Sequence, residues 1–98
     1  MITLPKHLQA LLDNNKRFQY DNPNRARGLM VGILNDFAGD DMRRRTFTKA
    51  VFGVESSHEL KDYQIAAFLG WHQHPEARGE VNRVIADYLK EQGQMSLL

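Results

Sequence analysis

The fold is decided by residues 75–93, which read PEARGEVNRVIADYLKEQG. Apolar side chains recur there at the i, i+3, i+4, i+7 and i+8 positions of one helical face, namely Val81, Val84, Ile85, Tyr88 and Leu89. Polar and charged residues fill the other face, as in a surface helix that packs on a core. Proline favours the first turn of a helix, and glycine favours the position just after its end. We therefore predict a helix that starts at Pro75 and stops at Gly93.

Two further helices are predicted before residue 40. The first begins near Pro5 and fades between Phe18 and Tyr20, with an apolar stripe formed by Leu4, Leu8, Leu11 and Leu12. Residues 21–24 form a turn, and the second helix then runs to Gly39 with Leu29, Met30, Ile33, Leu34 and Phe37 at core spacing. This helix contains Gly28 and Gly32, four residues apart, a spacing that often permits close packing against a neighbouring helix. The stripe of the first helix is also a candidate face for homo-oligomerisation.

The middle of the chain predicts two more helices. Asp40 or Asp41 caps the third, and Gly53 ends it. A capping box at residues 56–59 precedes the fourth, which carries Leu60, Ile65, Ala67, Phe68 and Trp71. The sequence thus predicts an all-α fold, a compact bundle of about five short helices. A helix-turn-helix-like arrangement of these helices is one form that such a bundle can take. We expect one helical domain over residues 1–93 and a C-terminal tail over residues 94–98.

Composition suits an ordinary globular domain. The 98 residues are 42% hydrophobic and 26% charged, and they include no cysteine. The absence of cysteine excludes disulfides and thiolate-ligated zinc and makes a cytoplasmic location the default expectation. The apolar runs are too short for a transmembrane helix, and the N-terminus has no signal-peptide pattern. We therefore expect no membrane association.

Basic residues concentrate in the first half of the chain. Residues 1–53 hold nine Lys/Arg against five Asp/Glu, whereas residues 54–98 hold four against seven. The most concentrated group is Arg43, Arg44 and Arg45, with Lys49 one helical turn after Arg45. These four residues, together with Arg25 and Arg27, are our candidate nucleic-acid-binding residues. Three consecutive helical residues diverge around the axis, so the three arginines cannot all face one surface. The alternative is a solvated helix face.

Catalytic and cofactor patterns are weak. His72 and His74 alternate within Trp71-His72-Gln73-His74, and on a helix their imidazoles would point away from each other. His7 and His58 are isolated in the sequence, and helix capping explains Asp40 and Asp41 without a metal. No glycine-rich phosphate loop follows a strand. We expect neither catalytic residues nor a metal or other cofactor, and hence a protein that is not an enzyme.

The chain ends in Gln94, Met95, Ser96, Leu97 and Leu98. This ending resembles the short peptide by which bacterial replication and repair proteins dock onto the DNA polymerase sliding clamp, typically Gln-Leu-Ser/Asp-Leu-Phe. The resemblance implies that these five residues bind a partner, with the glutamine at a polar rim and the two leucines in an apolar pocket. The alternative is that the tail packs back onto the core.

Residues 38–73 carry a second resemblance. This region resembles a helical module of phage Mu-type regulatory proteins and phage-like single-strand annealing proteins. The resemblance lies in the order of four segments: Gly39-Asp40-Asp41, residues 47–53, Ser56-Ser57-His58-Glu59-Leu60 and residues 64–71. The sequence departs from that module at Val54-Glu55, where lysine is common, and at Lys61, where a threonine cap is expected. Both resemblances imply an accessory protein of DNA replication, recombination or repair, from a phage or mobile element, that binds DNA, the sliding clamp or both.

The alternative function is a protein–protein interaction module, such as a phage inhibitor or a small subunit of a ribonucleoprotein complex. It would dock through the acidic face of the last helix, formed by Glu76, Glu80, Asp87 and Glu91. A small metal-dependent enzyme is the third and weakest hypothesis.

Overall fold

The computed structural model describes residues 2–93 and confirms an all-α fold. Five α-helices occur in this part of the chain: α1 (Lys6–Asn14), α2 (Pro23–Ala38), α3 (Asp41–Phe52), α4 (Asp62–Trp71) and α5 (Ala77–Glu91). A short 3₁₀ helix at Ser57–Glu59 lies between α3 and α4. No described helix is both long and apolar enough to cross a membrane.

Helix α4 lies at the centre of the bundle. Its Ile65, Ala67, Phe68 and Trp71 are fully buried, so it is apolar around most of its circumference. Helix α1 packs on one side of α4 through Leu8 and Leu12, and α2 packs on another side. Helices α3 and α5 pack against each other and against α2, which therefore contacts three of the other four helices.

Phe68 joins the helices at the centre of the core. Its ring lies 5.9 Å from Trp71 and 6.4 Å from Phe47 of α3, and both contacts are edge-on. Edge-on contacts between aromatic rings are favourable because the positive ring edge meets the negative ring face. Val81, Val84 and Ile85 of α5 are fully buried in the same core. The periodic stretch that predicted α5 therefore faces the core as expected.

Helix ends follow the predicted caps in most places. The Asp40 carboxylate accepts a hydrogen bond from the Arg43 backbone N–H at 2.8 Å, which identifies Asp40 as the cap of α3. Gly39 and Gly53 have φ of 104° and 75°, a region that glycine adopts without strain, and they end α2 and α3.

Two predicted helix starts were wrong. The capping box at Ser56 caps the 3₁₀ helix and not α4, and Leu60 and Lys61 are extended before α4 begins at Asp62. There, the side-chain oxygen of Gln64 accepts a hydrogen bond from the Lys61 N–H at 2.9 Å. Pro75 likewise lies in a turn before α5, which begins at Ala77.

The interpretation of Gly28 and Gly32 as close-packing positions was also wrong. Both are exposed, and a Cβ built at either position would meet nothing within 4 Å. No neighbour approaches α2 there among the described residues. The two glycines therefore weaken α2 without a packing benefit inside this chain.

This contrast predicts opposite effects of alanine at two glycines. Gly32→Ala should raise the free energy of unfolding by about 0.5–1 kcal/mol, because alanine favours the helix. Gly53→Ala should lower it by about 1–2 kcal/mol, because φ at Gly53 is 75°. Urea unfolding of both variants and the parent protein measures the two differences. Destabilisation by Gly32→Ala would mean that its surface is covered by something outside residues 2–93.

Candidate nucleic-acid interface

The three consecutive arginines of α3 diverge around the helix, as predicted. Arg43 is half-buried, Arg44 is buried with 8% of its surface exposed, and Arg45 is exposed. Lys49, one turn after Arg45, is exposed on the same face. The six candidate nucleic-acid-binding residues therefore separate into two groups, those held by the fold and those that face solvent.

Arg43 connects three helices. Its Nε donates to the Ala38 carbonyl at 2.8 Å, and its guanidinium also donates to Oδ1 of Asn82 at 2.7 Å. The Nδ2 of Asn82 in turn donates to the Phe37 carbonyl at 3.0 Å. These bonds satisfy carbonyl groups at the C-terminal end of α2, which have no partners within the helix. Arg43 and Asn82 thus hold the end of α2 between α3 and α5.

Arg44 and Arg27 are also engaged within the fold. The Nε of Arg44 donates to Oδ1 of Asn35 at 2.8 Å, and its guanidinium lies 3.8 Å from the carboxylate of Asp41. Arg27 donates to the carbonyls of Ser57 at 2.9 Å and Leu60 at 3.4 Å, which ties α2 to the segment before α4. A phosphate could reach either guanidinium only by competing with these bonds.

Arg45 and Lys49 have neither an ion pair nor a side-chain hydrogen bond among residues 2–93. They line a shallow groove of about 330 Å³ between α3 and α5, together with Met42, Thr46, Glu55 and Tyr88. Met42 is 78% exposed. The groove therefore presents two cations, one thioether, one carboxylate and one tyrosine to solvent. This set, and not the whole arginine run, is the candidate interface, which we call the α3 face.

Arg25 is exposed near the start of α2. No described contact places it beside the α3 face, and its role in nucleic-acid binding stays a prediction. The Gln94–Leu98 peptide lies outside the described residues, so its predicted role also stays a prediction.

The aromatic side chains that could stack on nucleic-acid bases differ in their exposure. Trp71 is fully buried, as its position on the core stripe predicted. Tyr63 is half-buried, and so is Tyr20, whose backbone N–H donates to the carboxylate of Asp62 at 2.9 Å. Burial, with a smaller contribution from Asp62, raises the pKa of the Tyr20 phenol above its ordinary value. Tyr88, which was assigned to the core, is the aromatic residue that borders the α3 face.

The acidic face of α5 is largely used within the fold. Arg83 donates to Glu80 at 2.6 Å and to Asp87 at 2.9 Å, and a further hydrogen bond joins it to the Thr3 carbonyl at 2.9 Å. The carboxylates of Glu80 and Asp87 are therefore partly neutralised. A partner that recognised acidic groups would find less negative charge here than the sequence indicated.

The histidines show what the sequence could not reveal. His72 stacks on Phe68 with ring centroids 6.1 Å apart, so it separates from His74, as the alternating spacing predicted. His7, isolated in the sequence, stacks instead on His74 with centroids 4.7 Å apart and an angle of 4° between the rings. Helix packing alone brings together residues so far apart in the chain, and no local spacing encodes the pair.

Comparison with protein-family models, with curated proteins and with solved structures found no match for this chain.

The division of the arginines predicts different effects on stability. Arg43→Ala and Arg44→Ala should each lower the free energy of unfolding by about 1–3 kcal/mol, because each leaves half-buried acceptors without a donor. Arg45→Ala, in the same helix, is the matched control and should change it by less than about 0.5 kcal/mol. Chemical unfolding followed by circular dichroism measures all three. Equal effects in the three variants would contradict the structural roles of Arg43 and Arg44.

Proposed function

We propose that this protein is a non-enzymatic accessory domain of DNA replication, recombination or repair. It contacts DNA phosphates through the α3 face and recruits the sliding clamp through residues 94–98. The observation that carries the DNA-binding part is the exposure of Arg45 and Lys49, one turn apart and unpaired within residues 2–93. Other basic candidates in α3 are held by hydrogen bonds, which makes this pair the most available positive charge on the helix.

The α3 face is suited to weak, salt-sensitive binding. Two cations neutralise about two phosphates, so the logarithm of the binding constant should fall with the logarithm of salt concentration, at a slope of about −1.8 for duplex DNA and about −1.4 for single-stranded DNA. Thr46 adds little because its hydroxyl donates to the Met42 carbonyl at 3.0 Å. Glu55 lies in the same groove and repels a third phosphate. DNA would therefore cross α3 on the side of Arg45 and Lys49 that lies away from Glu55.

Tyr88 extends this proposal to single strands. It lines the groove beside the two cations, and an aromatic side chain next to positive charge is a common arrangement for holding an unpaired base. A single-stranded substrate also agrees with the resemblance of residues 38–73 to single-strand annealing proteins. We therefore propose a preference for single-stranded over duplex DNA.

The tail contribution rests on the sequence of residues 94–98 and on the end of α5. Helix α5 ends at Glu91, and Gly93 has φ of 79°. The peptide that resembles a clamp-binding motif thus follows directly after the last helix. Its affinity should be modest, because ordering an extended peptide on a partner costs conformational entropy.

A protein–protein interaction module is the second candidate function. The observation that favours it is Met42, which belongs to the α3 face and is 78% exposed. Methionine is common at surfaces that adapt to different partners. Under this alternative the groove between α3 and α5 binds an apolar side chain of the partner, and Arg45 and Lys49 contact its acidic residues.

DNA binding through the α3 face predicts a charge-dependent loss in one double variant. Arg45→Ala/Lys49→Ala should weaken binding of a fluorescent single-stranded oligonucleotide at least tenfold at low salt, an order of magnitude expected from losing two phosphate contacts. Anisotropy titrations at several salt concentrations measure both the affinity and the slope, which should approach zero in the variant.

The matched control is Lys16→Ala/Lys61→Ala. It removes the same charge from exposed residues that line a different cleft, beside Phe18. The control should keep most of the affinity. Equal losses in the two double variants would show that binding depends on net charge and not on the α3 face. If the parent protein does not bind DNA at all, the protein–protein interaction module becomes the leading proposal.

Clamp recruitment predicts that a chain ending at Gly93 loses binding to a purified bacterial sliding clamp. The intact chain should bind with micromolar affinity, typical of a short peptide that orders on contact. Surface plasmon resonance measures binding, and differential scanning calorimetry of both chains separates recruitment from core packing. Lower thermal stability of the shortened chain, without clamp binding by either chain, would assign residues 94–98 to the core.

A further inference from the structure

Three side chains with metal-binding atoms meet where the start of α1 contacts the connection between α4 and α5. His7 lies in the first turn of α1, His74 lies in that connection, and Glu76 directly precedes α5. One donor atom from each lies within 4.8 Å of the other two. The Nδ1 atom of His74 is 3.8 Å from Oε1 of Glu76. The residues belong to two segments of chain that only the fold brings together.

The donor types and their spacing fit a borderline transition metal. Two imidazoles and one carboxylate form a common protein ligand set for Zn²⁺, whereas Mg²⁺ and Ca²⁺ prefer oxygen ligands. Around a tetrahedral zinc ion, with bonds of about 2.0–2.2 Å, ligand atoms lie about 3.4 Å apart. Since all three donor atoms lie within 4.8 Å of one another, each separation must shorten by at most about 1.4 Å. The His7 and His74 rings must also turn out of their parallel stack, and both are at least partly exposed and have space to do so.

The same place opens onto a cleft, and one of the residues that line the cleft has a buried polar atom without a partner among the described residues. His7, Glu76 and Trp71 line this cleft, which has a volume of about 400 Å³. Trp71 is fully buried, and its indole N–H has no hydrogen-bond acceptor among the described residues. An unpaired buried donor costs about 1–3 kcal/mol in a protein interior.

The remaining charges around the cleft are compatible with a bound cation. Arg83 lines it, but its guanidinium is paired with Glu80 and Asp87. The hydrogen bond with Glu80 is the main cause that raises the pKa of Arg83 above its ordinary value, so this arginine stays charged and paired. Lys6 is exposed and can turn its amine towards solvent.

We propose that His7, His74 and Glu76 bind a divalent transition metal of the Zn²⁺ type, with a fourth coordination position open to water or an anionic ligand from the cleft beside Trp71. The bound ion joins the first helix to the start of the last. It therefore stabilises the native chain, because the unfolded chain does not hold the three donors together. This site is separate from the α3 face and does not depend on DNA binding.

The test uses tag-free, full-length protein titrated with ZnCl₂ in an isothermal calorimeter, with MgCl₂ as the comparison ion. We expect one zinc ion per chain with micromolar or tighter affinity, no binding of Mg²⁺, and a rise in melting temperature with zinc only. Cobalt substitution should give the strong visible absorption of a four-coordinate site. Failure to bind zinc, or binding without thermal stabilisation, would overturn the proposal.

Variants identify the ligands. His7→Asn, His74→Asn and Glu76→Gln should each weaken zinc binding at least about tenfold, the scale on which loss of a ligand or its support acts. His58→Asn and His72→Asn are the matched controls, because these histidines lie outside the cluster, and both should bind zinc like the parent. Without zinc, all five variants should melt within a few degrees of the parent, which excludes misfolding as the cause. Unchanged affinity in His7→Asn and His74→Asn, or loss in the controls, would show that zinc binds elsewhere.

Discussion

The packing of Phe68 against Phe47 and Trp71 is the contact on which the rest of the fold depends. Phe68 lies on α4, the helix with the most apolar sequence, and all three rings are fully buried. A helix of this kind is stable only when other helices surround it. Helices α1 and α2 cover two sides of α4, and Phe47 brings α3 to it. The polar faces of α3 and α5 are left for solvent and for any partner.

Polar contacts then determine how the outer helices meet. The C-terminal end of α2 has carbonyl groups without helical partners, and Arg43 and Asn82 supply the donors. Two of the three consecutive arginines in α3 are therefore engaged within the fold. Arg43 bonds to the end of α2, and Arg44 bonds to Asn35. Arginine thus stabilises the packing of helices on one side of α3 and faces solvent on the other. A run of basic residues in a sequence does not by itself measure the size of a nucleic-acid interface.

Local patterns predicted the helices well and their contacts poorly. The α5 stripe, the Asp40 cap and the Gly53 end depend on residues within one or two turns, so they can be read from the sequence. The capping box at Ser56 was recognised, but the sequence did not show that it serves a 3₁₀ turn, because the choice depends on how far the chain must travel to α4. The exposure of Gly28 and Gly32 depends on whether another helix passes nearby. The stack of His7 on His74 depends on α1 packing beside the end of α4. Each of these features is set by tertiary structure.

The bond from Arg83 to the Thr3 carbonyl connects positions eighty residues apart and has a consequence for synthesis in the cell. Thr3 and α1 leave the ribosome well before their partners in α4 and α5 are made. Until then the leucine stripe of α1 has no surface to cover it, although α2 and α3 can already pair. During synthesis α1 therefore stays without its main packing partner until α4 emerges, and the bundle closes only when α5 follows.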